Sequence, residues 1–301
     1  MASSEQPKVA ALHPVFRIAC AWNACFLLLD LAVFASTGVR FDRVAALFVL
    51  AGVGIVGFFL SVGAVYRVLR PEAYISETSL AAGHVLMATQ LAGLFSVLAV
   101  CLAPPLIDAH LAAVDAALGL HAPTISVYVR GIPWFFTIVS WCYNFFVPQI
   151  LLSVLVLGLV LGDLEALWSY VFYYCFAATI TIACFAVMQA EGSASWYPDY
   201  PKNVMLVKYL EAFRLLRDGA NVVGRDQMQG FVTFPSFHAA SGYAALAAFS
   251  QHPRLWWPLL AINAALVLGT VVVGGHFVID SLTSLPICIA GIFVYRRIAS
   301  S

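Results

Sequence analysis

VAALFVLAGVGIVGFFLSVGAVY, Val44 to Tyr66, runs for 23 residues without a charge. A helix needs about 20 apolar residues to cross a hydrocarbon core about 30 Å thick. Gly131–Gly162 and Ala166–Ala190 are also uncharged and long enough. Over the whole chain 62% of 301 residues are hydrophobic and 10% are charged. Soluble domains average roughly 45–50% apolar and 25% charged. The fold class is therefore all-α, a polytopic transmembrane helical bundle.

Eight spans are predicted, near residues 18–36, 44–66, 80–103, 134–161, 166–190, 235–251, 255–274 and 277–295. The first carries Asn23 and Asp30 and lacks a small-residue cleavage pattern after it, so it reads as a retained helix rather than a signal peptide. Between the third and fourth spans, Leu106, Leu111, Val114 and Leu118 would give one apolar face to a short helix near 106–118. An interfacial helix is expected there, opened by Pro104–Pro105. A long polar loop, 191–234, precedes the sixth span.

Lysine and arginine set the expected orientation. Lys8, Arg17, Arg67, Arg70, Arg254, Arg296 and Arg297 fall on the side of the termini. Arg40, Arg43 and Arg130 fall on the other, with five more in the loop: Lys202, Lys208, Arg214, Arg217 and Arg225. Setting the loop aside gives seven against three and puts both termini in the cytoplasm, with the loop facing periplasm or lumen. Its positive charge then asks for another cause, and anion binding supplies one. Net charge is zero, with no basic tail or helix of the kind that binds nucleic acid. The seven cysteines lie in apolar segments without metal-ligand spacing.

Two polar pieces stand out against the apolar background. In TFPSFHAA, Thr233–Ala240, a serine and a histidine open the sixth span. In GGHFVID, Gly274–Asp280, a histidine and an aspartate sit four residues apart at the start of the eighth. Topology brings both to one membrane level beside the basic loop. On a helix His276 and Asp280 share a face. An aspartate here is costly unless paired; accepting a proton from one imidazole nitrogen leaves the other free and basic. Such a histidine is a nucleophile or a general base, although a purely structural hydrogen bond has the same spacing. Pro235 suits a first helical turn, whose free N–H groups and dipole favour an anion. Ser236 adds a hydroxyl or simply caps the helix, and His238 could protonate a leaving oxygen. Together these groups fit phosphate chemistry. No carboxylate cluster suggests magnesium. A zinc site from His238, His276 and Asp280 is the alternative, but Asp280 is more economically used to orient His276.

At these residues the chain resembles the type-2 phosphatidic acid phosphatase superfamily. FPSFHAA and GGHFVID look like its second and third signature motifs. LRDGANVVGRDQMQGFVTFPSFHAA, Leu216–Ala240, is similar to a bacterial branch related to fungal inositol phosphorylceramide synthase, the aureobasidin target. The resemblance runs from about Leu106 to Val294. It implies a six-helix core within residues 80–301, with residues 1–79 contributing additional helices. It also implies His276 as a nucleophile forming phosphohistidine, Asp280 orienting it, and His238 as acid and then base. Ser236, Phe237 and adjacent backbone would hold the phosphate, with no cofactor. Thr270 stands where the third motif has arginine, and the first motif is absent in its usual form. The expected cations are Arg217 first, then Arg225, with Lys202, Lys208 and Arg214 as further candidates.

The expected activity is transfer of a phosphate or phospho-headgroup between lipids, with ceramide, diacylglycerol or polyprenyl lipids as possible partners. The alternative is hydrolysis of phosphatidic acid or a polyprenyl diphosphate. A third reading, a non-catalytic lipid-binding or transport protein, rests on Thr270.

Overall fold

The computed structural model describes residues 12–228 and 230–299, so Lys8 lies outside the described residues. The bundle is all-α. Its long helices are α1 (Pro14–Thr37), α2 (Arg43–Val68), α3 (Ala73–Val100), α8 (Leu164–Val187) and α12 (Pro253–Val272). Several begin at a side chain that can accept from the orphan N–H groups of a first turn. Asp42 accepts from Ala45 N at 2.7 Å in α2, Glu72 from Ile75 N at 2.6 Å in α3, and Asp163 from Ala166 N at 2.9 Å in α8.

Shorter helices complete the chain: α4 (Asp108–Ala117), α5 (Ala122–Arg130), α6 (Pro133–Asn144), α7 (Phe146–Leu155), α9 (Ser193–Trp196), α10 (Val204–Arg217), α11 (Phe237–Ala248), α13 (Val278–Leu282) and α14 (Ser284–Ala299). Among the described residues six helical segments are long and apolar enough to cross a membrane, with α13 and α14 taken as one, or eight if each of two bent pairs is a span. These are the features of an integral membrane protein. The only described strands, Arg40–Phe41 and Val222–Val223, pair in parallel and tie the α1–α2 connection to the segment after α10.

The first bent pair, α4 and α5, turns by 73°. Ile107 N donates to Gln189 O at 2.9 Å, and Arg130 donates to Val272 O at 2.9 Å. Both outer ends of the pair therefore lie at one end of the bundle. The short helix expected near 106–118 is there as α4, followed by α5, for which no element was predicted. The second pair, α6 and α7, bends by 58° within the expected span 134–161. Pro148 explains the break, because it cannot donate to the Asn144 carbonyl one turn back.

Side-chain contacts define the opposite end. His13, capping α1, lies 3.3 Å from Glu165, and Tyr295 on α14 donates to the same carboxyl. His252 before α12 reaches Asp163 at 2.9 Å. The two described chain ends thus share the end where α8 begins. From there α8 rises for 24 residues, whereas α11 has only 12. The expected sixth span, 235–251, is shorter than a membrane crossing needs. From His252 back to Ser236 is roughly 24 Å, against roughly 36 Å from Asp163 to Val187, at 1.5 Å per residue. The N-terminus of α11 is consequently sunk about 12 Å below the far end of α8.

Trp168, Tyr170, Phe172 and Tyr174 of α8 are fully buried in the core against α3, α11 and α14. By contrast, α2 leaves Leu47, Leu50, Val53 and Phe58 more than half exposed, as a lipid-facing helix does. Glu77 on α3 links three helices near the terminal end. It accepts from Arg67 Nη1 of α2 at 2.7 Å and from Trp168 Nε1 of α8 at 2.8 Å. Removing one member of a buried charged pair strands the other, at a cost of about 3–5 kcal/mol. Glu77→Ala is expected to lower the melting temperature of the purified protein clearly, and Glu77→Gln to recover much of the loss. Equal melting of Glu77→Ala and wild type would refute this link.

Candidate functional site

A cavity of about 450 Å³ lies over the sunken N-terminus of α11. Its wall includes His238 and His276, with Ser140, Tyr143 and Asn144 from α6, and Asn203, Tyr209 and Thr233 from the segment after α8. The ring centroids of His238 and His276 are 6.3 Å apart with planes at 70°. His238 is held by aromatic faces. It stacks on Tyr143 at 4.9 Å and 14°, and meets Phe146 at 4.2 Å.

His276 is buried at 5% exposure, and Asp280 is fully buried behind it. His276 Nδ1 lies 3.3 Å from Asp280 Oδ2, and Phe277 N donates to the same oxygen at 2.9 Å. Asp280 O in turn accepts from Ser236 N at 2.9 Å, which ties the two polar pieces of the sequence together. Two glycines permit the approach. Gly275 takes a left-handed φ of 72°. A β-carbon on Gly274 would stand 2.7 Å from Tyr143 Oη and 3.1 Å from His276 Cδ2.

Asp115 on α4 is also fully buried. It accepts from Val278 N at 2.8 Å and Ile279 N at 2.9 Å, the leading N–H groups of α13. Asp108 does the same for the turn after α8, accepting from Glu191 N at 3.1 Å and Gly192 N at 2.8 Å. Ser193 Oγ is within 3.0 Å of Gly275 O and 2.9 Å of His276 O.

Ser236 caps α11, its hydroxyl accepting from Ala239 N at 3.5 Å. Pro235 therefore precedes the cap and does not occupy the first turn as expected. Ser236 is fully buried, with Ser284 Oγ donating to its carbonyl at 2.8 Å. The Phe237 ring turns into the core, edge-on to Phe146 and Tyr174. Neither residue lines the cavity, so the expected phosphate contact from Ser236 and Phe237 side chains is not seen.

The basic candidates are elsewhere. Lys202 and Lys208 are exposed. Arg217 donates to Gln189 Oε1 and, at 2.7 Å, to Pro104 O, bracing α10 against the α3 and α8 ends. Arg225 is exposed, its guanidinium 6.0 Å from the Phe48 ring. Arg214 chelates Glu191, with Nε 3.0 Å from Oε1 and Nη2 2.7 Å from Oε2. Among the described residues no lysine or arginine lines the cavity, but Glu191 does. Burial alone would raise the Glu191 carboxyl; the Arg214 guanidinium and the Ser195 hydroxyl outweigh it and hold it below the usual carboxylate range. Thr270 is buried against Ser281, with their hydroxyl oxygens 2.7 Å apart, and stands clear of the cavity wall.

Tyr143, Asp115, Asn203 and Glu191 were not singled out from the sequence. Asp115 carried a signal, a carboxylate within an otherwise apolar helical face. Tyr143 carried none, since it sits among many aromatics in an uncharged span. No three His, Cys, Asp or Glu side chains among the described residues form a set able to hold a metal ion, so the zinc alternative finds no ligand set at the histidines.

A family model described as the PAP2 superfamily matches residues 109–294. No curated protein and no solved structure matches. The matched segment runs from α4 into α14 and covers more than half of the chain, both histidines included. The chain belongs to the PAP2 superfamily, whose members are phosphatases and phosphotransferases acting on lipid phosphates.

Proposed function

We propose that this protein is a membrane lipid phosphotransferase that works through a phosphohistidine at His276, without a metal ion. The observation that carries the reading is the imidazole pair, 6.3 Å apart across one cavity, with a buried carboxylate behind one ring. Asp280 accepts a hydrogen bond from His276 Nδ1–H, which stays on the ring, so Nε2 carries the lone pair that attacks phosphorus. An N–P bond forms as the P–O bond to the leaving lipid breaks, and His238 gives its proton to that oxygen. An acceptor hydroxyl then returns a proton to His238, attacks phosphorus and releases His276. A ceramide-like alcohol is the proposed acceptor and a diacyl phospholipid the donor, as in inositol phosphorylceramide synthesis. Water as acceptor makes the same site a phosphatase, a second reading favoured by the polar wall of Ser140, Asn144, Asn203 and Thr233.

The phosphate's charge is met by the imidazoles and by the leading N–H groups of α11. Those of α13 are already taken by Asp115. Glu191 opposes a phosphate, and Arg214 cancels that charge. The same reading sets the cavity on the periplasmic side of a bacterial inner membrane, opposite the end richer in lysine and arginine outside the loop.

Purified protein incubated with radiolabelled phosphatidic acid or phosphatidylinositol, with and without ceramide, tests the reading. With ceramide, a new lipid phosphoester is expected, ceramide phosphate from phosphatidic acid or a phosphodiester from phosphatidylinositol, and none in His276→Ala. Water-derived products alone, free phosphate from phosphatidic acid or inositol phosphate from phosphatidylinositol, would select hydrolysis, and turnover undiminished in His276→Ala would overturn both.

His238→Ala should slow reaction of an alkyl phosphate by about 10²–10⁴-fold. A nitrophenyl phosphate, whose leaving group needs no proton, should lose far less. Equal losses on both would remove His238 from the acid role.

Arg214→Ala should raise KM for a lipid phosphate by about 5–10-fold with kcat little changed, an effect of about 1 kcal/mol from one uncompensated charge. Glu191→Gln in the same chain should restore it. With Arg214 gone, burial raises the Glu191 carboxyl, so the defect should shrink as pH falls and Glu191 protonates. A defect independent of both Glu191 and pH would contradict the charge-cancelling role.

A further inference from the structure

A second cavity, about 420 Å³, opens between α2 and α3. Its wall is mainly apolar, with Phe48 and Ile55 on α2, Leu86, Leu94 and Val97 on α3, and Val147 on α7. Its polar wall side chains are engaged with the protein, Gln90 Nε2 donating to Val49 O at 2.8 Å and Thr89 Oγ1 to Val85 O at 2.7 Å. The rest of the wall suits hydrocarbon.

We propose that this groove holds one acyl chain of the lipid whose phosphate sits between His238 and His276. The inference rests on the functional reading above and specifies how its substrate is gripped. Three observations carry it. First, Gly230 borders both cavities, so groove and histidine site adjoin at that residue. Second, the groove runs along α3 from Leu86 to Val97, about 16 Å at 1.5 Å per residue. That is about half of a ~30 Å hydrocarbon core, the depth of one leaflet's chains. Third, a β-carbon on Gly93, which lines the groove, would meet no atom within 4 Å, and the same holds for Gly230. The open space lies along the groove and at its junction with the site.

The wall supplied by α2 lies outside the segment matched by the family model, residues 109–294. The N-terminal helices therefore add a chain-binding element to the phosphate chemistry. Chain length becomes a determinant of KM, set by the α2–α3 contact.

Gly93→Leu fills the groove without an initial clash and without touching the histidine site. Two readouts are compared in full-length protein in nanodiscs. In the first, dipalmitoyl phosphatidic acid bearing a mid-chain diazirine is photolysed and the crosslinked peptides are mapped. Wild type and His276→Ala should both label on α2 and α3 facing the groove, and Gly93→Leu should lose at least 5-fold of that label. Soluble dihexanoyl phosphatidic acid, which fills the phosphate site but is too short for the groove, should displace the label. Bulk lipid in the groove would ignore this competitor, and that result overturns the proposal. In the second readout, Gly93→Leu should raise KM about 10-fold for the long-chain lipid and leave the short-chain lipid unchanged. Preserved short-chain turnover also shows that the variant folds. Equal effects on both chain lengths, or label scattered over the lipid-facing surface, would refute the groove. If wild type turns over no lipid but labels and competes as described, the catalytic reading fails while the groove stands.

Discussion

Asp280 is a carboxylate fully buried within a bundle built to sit in lipid, and that single cost organises the site. One oxygen takes the imidazole of His276 and the amide of Phe277; the residue's own carbonyl takes the amide of Ser236. The second oxygen, Oδ1, is buried without a partner among the described residues. These bonds fix where α13 begins relative to α11, and so fix the separation of the two histidines. Asp115 repeats the device from outside, spending its own carboxylate on the first amides of α13. Two buried acids from distant parts of the chain thus position one imidazole.

The recess follows from helix length. Because α11 has half the residues of α8, its N-terminus stops well inside the bundle, and α6, α10 and the segment around Thr233 wall off the space above it. A phosphate entering there leaves most bulk water behind, where electrostatic contacts are stronger. The same depth suits a lipid that keeps its chains in the bilayer while its headgroup turns inward.

How much of this the sequence carried depended on the kind of signal. Uncharged runs such as Val44–Tyr66 declare a membrane helix by composition alone, and all eight predicted spans coincide with helical segments, although 235–251 is short and 134–161 is bent. The pairing of His276 with Asp280 was legible because helical periodicity is local. That His238 lies on the same cavity followed from topology, since both histidines open helices from one end. The cationic partners were not legible. Charges on α10 can be assigned to a face by spacing, but which neighbour each guanidinium meets depends on tertiary packing. Arg217 turned to Gln189 and Pro104, and Arg214 to Glu191, so neither faces the cavity. The second helix α5 was not predicted; Pro123 occupies its first turn, where the missing N–H costs no helical bond.

The central claim is that His276 itself carries the phosphoryl group in transit. Rapid acid-free quenching of the enzyme with radiolabelled lipid substrate, followed by mapping of the labelled peptide, tests it directly. The account predicts an acid-labile phosphoryl group on the His276 peptide, formed at a rate no slower than turnover and lengthened in lifetime when the acceptor is withheld. Label on His238 or on no histidine, during demonstrable turnover, would contradict it.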